Sequence, residues 1–245
     1  AGIPWAGQGT ASVHVGGPYA DVKIAGVLAL RGFEMFGYAA GVVQGPLKYS
    51  RRTLSFPNMF GQKGRTGFAG WVELAFKPDD VYLTAEAGVP RGRTEDLIDL
   101  IAGLHPSIGT FQQVLEGDVS GALHFAGPAR AIDGTIAIEL ANTRYHGRRV
   151  GDGKVTLQLQ KGAALVLEPA VLVGPLGKLI AEGRWSFAGP LDFKAKVLGG
   201  SLAEAVGAQA ALEQGVSGQL TLEATVSGDT DTPIVTGQLG APQVS

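Results

Sequence analysis

Apolar and polar residues alternate with a period of two along most of the chain. Clear cases are Val22 and Ile24; Val72, Leu74 and Phe76; Val81 and Leu83; Leu123 and Phe125; and Ile136, Ile138 and Leu140. Further along come Val155, Leu157 and Leu159; Leu165 and Leu167; Trp185 and Phe187; Phe193 and Val197; and Leu220, Leu222, Ala224 and Val226. Successive side chains of a strand point to opposite faces, so each run is a strand with one apolar and one polar face. Glycine, proline and Asp-Gly pairs punctuate the runs about every ten residues. Asp133-Gly134, just before a strand, is a strong turn signal. The pattern predicts a mainly β chain: an antiparallel meander of on the order of sixteen strands.

Two stretches change period. In "TEDLIDLIAGLHP", Leu97, Ile98, Leu100, Ile101 and Leu104 fall at helical spacing. Thr94 is the expected cap, Glu95 and Asp96 favour the positive end of the helix dipole, and Pro106 closes the element. "SLAEAVGAQAAL" opens with Ser201 and carries Glu204 three residues on, the spacing of a capping box. Each helix leads into "VSG" and an amphipathic strand: "GDVSGALHFAG" after the first, "GVSGQLTLEATVSG" after the second. The unit recurs after roughly a hundred residues, as a module and not a short solenoid repeat. The segments are then 1–93 (β), 94–116 (helical insertion), 117–200 (β), 201–213 (helix) and 214–245 (the start of a further β module).

An apolar strand face must be covered. At about 4.8 Å per strand, one continuous sheet of this many strands would extend roughly 75 Å and would curl. Curled into a trough, it would expose an apolar lining; folded into a two-sheet sandwich, the same faces would meet each other. Alternation alone is compatible with both.

Composition narrows the function classes. Among 245 residues there are 38 glycines, no cysteine and only 17% charged side chains, with a formal net charge of -2. Sparse charge and abundant glycine suit many strands and tight turns. A nucleic-acid partner would demand a basic face. The basic groups present, Ser50–Thr53, Arg91–Arg93 and Gly147–Arg149, read as solvated turns. Without cysteine there is neither a disulfide framework nor a thiolate metal site. No apolar run reaches the ~18 residues of a membrane span. The sequence starts at "AGIPW", without the regions of a signal peptide, and reads as a segment of a longer chain.

No constellation points to catalysis, a cofactor or a metal. His14, His105, His124 and His146 share no ligand spacing, and His124, between Leu123 and Phe125, belongs to the polar face. Ser120 lies in "GDVSGA", not in a nucleophile elbow. "GPLGK" lacks the spacing and the Ser/Thr of a phosphate loop. Asp229 and Asp231 read as turn residues and not as a calcium site. The acidic residues of the helices, Glu95, Asp96, Asp99 and Glu204, have the wrong sign for anionic lipid headgroups. A plug that packs its apolar stripe over a groove or a sheet edge fits them better.

The closing stretch follows the pattern G-x-L-x-L-x-(A/V)-x-V-x-G, a turn with proline, then G-x-L: Gly218, Leu220, Leu222, Val226, Gly228, Pro233, Gly237 and Leu239. With "DLIDLIAGLHP" before "GDVSGALHF", and with "GPLKYSRRTLSFPNMFGQKGRTGFAGWVELAF" upstream, it resembles the TamB family, related to the AsmA-like proteins of diderm bacteria. The resemblance covers most of the chain from about Asp21. It implies an interior, periplasmic segment of an inner-membrane-anchored protein whose open, curled β-sheet groove (a β-taco) conducts phospholipid acyl chains to the outer membrane. It also implies a partner in some species, an outer-membrane barrel of the Omp85 type, engaged through parts of the protein outside this segment. On this reading the lining is Val72, Leu74, Phe76, Leu123, Phe125, Ile136, Ile138, Val155, Leu157, Leu220 and Leu222. A closed-core structural or adhesive β-repeat, and a polysaccharide-active enzyme on a β-scaffold, are the alternatives.

Overall fold

In the computed structural model, which describes residues 5–35, 38–201, 203–204, 217–230 and 232–244, the strands form one antiparallel sheet. They are β1 (Trp5–Gly16), β2 (Lys23–Met35), β3 (Tyr38–Ser50), β4 (Thr53–Lys63), β5 (Thr66–Phe76), β6 (Val81–Arg93) and β7 (Leu115–Pro128). They continue as β8 (Asp133–Tyr145), β9 (Arg148–Gln160), β10 (Ala164–Gly174), β11 (Gly177–Ser186), β12 (Pro190–Ser201), β13 (Gly218–Asp229) and β14 (Thr232–Val244). Each strand pairs with the next, and β1 and β14 form open edges. The meander is therefore a single unclosed sheet. Helix α1 (Thr94–Ile101) and two 3-10 turns, Ala102–Leu104 and Pro106–Gln113, connect β6 to β7.

The fourteen strands are fewer and longer than the expected sixteen, because several glycines and prolines lie inside strands and not between them. Pro46, Pro57, Pro90 and Pro169 each sit where the register slips: between Gln44 and Lys48, Phe56 and Met59, Val89 and Gly92, and Leu167 and Ala170. Proline cannot donate to the ladder, so a bulge is where a strand tolerates it. Every pair except β11–β12 carries such a shift. Bulges bend and twist a strand, and repeated across the sheet they supply its curl.

Asp133-Gly134 is not the turn the sequence suggests. The chain reverses at 129–132, and both residues already pair in β8, opposite Ala126 and Phe125. Gly134 is required by its neighbour, since a Cβ there would collide with the Phe125 ring. The same arrangement places Phe68 over Gly61 and Phe193 over Gly183. Among the basic groups, Arg51-Arg52 and His146-Gly147 do form tight turns with positive φ. Arg91–Arg93, however, ends β6, and Arg93 pairs with Glu95 and Asp118.

The pairing is continuous across the helical insertions: Gly92 stands opposite Val119, and Gly200 opposite Leu220. The strands of 1–93, 117–200 and 214–245 thus belong to one sheet. The β6–β7 and β12–β13 connections fall at the same end of that sheet, six strands apart. Of the helix expected over 201–213, Glu204 N–H donates to Ser201 Oγ (3.3 Å), half of a capping box; the rest lies outside the described residues.

Candidate functional site: an apolar trough with a helical plug

Register puts the alternating apolar residues in rows that cross the strands. One row reads Ala87, Leu123, Ile136, Leu157, Leu167, Gly183, Phe193, Val226 and Val235, each opposite the next. A parallel row reads Phe56, Val72, Ala85, Phe125, Gly134, Leu159, Leu165, Trp185 and Leu191. Directly opposed residues share a face, so no polar side chain interrupts the first row from β6 to β14 or the second from β4 to β12 on the concave side. The polar partners alternate onto the outer face, where Trp71 Nε1 donates to Glu86 (3.3 Å) and Lys154 pairs with Glu139 (2.7 Å). His124 is exposed on that outer face, as its neighbours dictate.

All eleven residues named from the sequence lie on the concave face, but they are not equivalent. Val72, Phe76, Phe125, Ile138, Val155, Leu157 and Leu222 are half-buried and present surface to the trough. Leu74 and Ile136 are 0% exposed, so protein covers them and they offer a ligand nothing. Leu123 and Leu220 are nearly as enclosed. Ile136 and Leu123 belong to the core shared with Ile98, Ile101 and Ile108 of the helical segment, while Leu74 stands between its cross-strand partners Leu54 and Leu83.

That cover is the plug expected of the acidic helix, and the structure puts it in the trough and not over a sheet edge. Helix α1 lies inside the trough, touching β3 and β4 on one wall and β6 and β7 on the other. Its stripe of Leu97, Ile98 and Ile101 is buried, and Leu100 and Leu104 pack beside it. The chain then reaches across to β11, where the His105 ring stacks on Phe187 (5.1 Å, 18°) and meets Trp185 edge-on (5.2 Å, 77°). Trp185 Nε1 in turn donates to Thr230 Oγ1 in the β13–β14 turn (3.0 Å). The segment is thus a plug across the trough.

Charge fixes the plug at its root. Asp96 accepts from Arg65 N–H (2.8 Å) and Thr66 Oγ1 (2.9 Å), and Asp99 pairs with Lys63 (2.6 Å). These partners form the β4–β5 turn, so the acidic side of α1 docks on a basic hairpin and is not a solvated face. Arg93 bridges Glu95 (3.1 Å) and Asp118 (3.0 Å). Asn142 Nδ2, donating to Asp118 (3.0 Å), and then Arg93 hold the Asp118 carboxyl below the usual carboxylate range. The helix cap is Arg93 and not Thr94, whose Oγ1 is buried without a partner, as is that of Thr143.

Beneath the plug lies a pocket of about 180 Å³, walled by β2 to β7, partly roofed by Leu100 and Ile101 and open to the trough. Much of its lining, including Phe33, Val43, Phe56, Met59 and Phe68, was hidden from periodicity. Bulges at Leu30/Phe33 and Phe56/Met59 place residues three apart on one face. The surviving signal is the unbroken part of β2, Ile24, Leu28 and Leu30. Among the described residues no group of His, Asp and Glu could hold a metal ion, and no helix is long and apolar enough to cross a membrane. Comparison with protein-family models, curated proteins and solved structures finds no match.

Proposed function

We propose that this chain is a segment of a lipid-transport protein, and that its concave face conducts phospholipid acyl chains between membranes in support of outer-membrane biogenesis. The observation that carries the reading is the pair of uninterrupted apolar rows on one side of a single unclosed sheet, with no second sheet among the described residues to cover them. Acyl chains would lie across the strands along these rows, and headgroups would stay in water at the open seam. At ~0.8 kcal/mol per methylene, a sixteen-carbon chain taken from water gains on the order of 10 kcal/mol. Toward the sheet edges the lining is accessible, with Val15 59% and Leu239 67% exposed. The sequence resemblance to the TamB family points the same way, and with it to a periplasmic, inner-membrane-anchored whole protein and an Omp85-type partner.

A photo-crosslinking residue at position 157 or 222 tests this in cells. Adducts that contain phospholipid are the expected result. A stable protein that yields none from either position favours a structural or adhesive β-repeat instead.

A further inference from the structure

We infer that the cavity under α1 is a holding site for the end of one hydrocarbon chain, so that the trough is a path with a station in it and not a featureless track. The inference rests on the acyl-chain reading above. Its lining comes from Leu28 and Phe33 of β2, Phe68 of β5 and Phe125 of β7, with Leu100 and Ile101 as a partial roof. Of its two polar lining residues, Glu86 accepts from Trp71 Nε1 on the outer face, and Tyr38 is a phenol that burial pushes up in pKa and so keeps neutral.

An apolar cavity near 150 Å³ stays dry and accepts a small hydrocarbon, because water needs two to four polar partners. At about 180 Å³ the space suits a fragment of roughly seven carbons, scaled from a cavity that takes benzene. A peptide segment would carry N–H and C=O groups into a site with almost nothing to bond them, and a headgroup would fare worse. Hydrocarbon is the occupant this lining favours. The chain end stops here because the helical segment bars the way: beyond Ile101 the path is crossed by His105 on Trp185 and Phe187. The remainder of a longer chain would trail along the open rows.

The test is saturable binding of cis-parinarate, a fluorescent fatty acid, to the 245-residue chain. One probe per chain is expected. Ala40→Phe and Ala85→Phe, which fill the cavity from β3 and β6, should each weaken binding at least tenfold, and Thr225→Phe on the outer face should leave it unchanged. Several equally tight probes per chain, or full binding in both filled variants, would overturn the inference. If neither filled variant folds, stearate with a nitroxide at its methyl end decides the matter in the unaltered protein. Broadening of Leu123 and Phe125 resonances ahead of Leu222 supports the site; equal broadening of all three refutes it. Lipid adducts in cells without a saturable site would sink this inference alone. Saturable binding without adducts in cells would sink the transport reading alone.

Discussion

Three phenylalanines set the packing of the trough floor. Phe68, Phe125 and Phe193 each lie over the glycine opposite them, Gly61, Gly134 and Gly183. An aromatic ring laid across a neighbouring strand covers backbone that a glycine leaves bare, and it does so only while the opposing residue lacks a Cβ. Gly134→Ala should therefore destabilise the fold by about 1–3 kcal/mol through overpacking of the Phe125 ring. The measurement is a denaturant midpoint; an unchanged midpoint would mean the ring moves aside freely. From the sequence, Asp133-Gly134 carries the signature of a turn. The glycine is there for a ring nine residues earlier in the chain, and only pairing of β7 with β8 reveals that.

At the scale of elements, the apolar stripe of α1 was legible, and its destination was narrowed only to a groove or a sheet edge. Helical spacing identifies Leu97, Ile98 and Ile101 as one face, since side chains three and four apart meet. Nothing local chooses the trough over a sheet edge, or says that Asp96 and Asp99 dock on the β4–β5 turn some thirty residues earlier. Asp96→Ala removes the acceptor shared by Arg65 N–H and Thr66 Oγ1. Hydrogen bonds to a charged group contribute about 1.5–3 kcal/mol each. Amide exchange in 97–104 should accelerate roughly tenfold or more, while β8 to β10, tied by their own ladders, keep their protection. Uniform acceleration across the sheet would show that the plug and the strands open together.

For the whole molecule, the decisive property is that the sheet curls without closing. A charge on the concave face then has two different costs. Leu222→Glu sits where the lining is half-exposed and near the β14 edge, and it should lower stability by about 1 kcal/mol or less while interrupting the apolar row. Ile136→Glu buries an unpaired carboxyl where nothing is exposed, and it should cost several kcal/mol. Thermal unfolding separates the two, and on the proposed transport reading a cell-based measure of outer-membrane integrity should show a defect for Leu222→Glu at normal protein level. Equal destabilisation by both substitutions would mean that the trough at β13 is closed.

The sequence by itself determined the mainly β class, the amphipathic strand faces, the antiparallel meander and the helix that begins at Thr94. These follow from periods of two and 3.6, which depend on a few neighbouring residues. The tertiary structure alone decided that the apolar faces line one curled sheet and do not meet in a sandwich. It also decided which of them are covered. Leu157 and Leu222 carry the same local pattern as Leu74 and Ile136, yet the first pair faces the trough and the second is sealed. Burial depends on what the curl and the plug bring from distant parts of the chain, and a period of two holds no information about that.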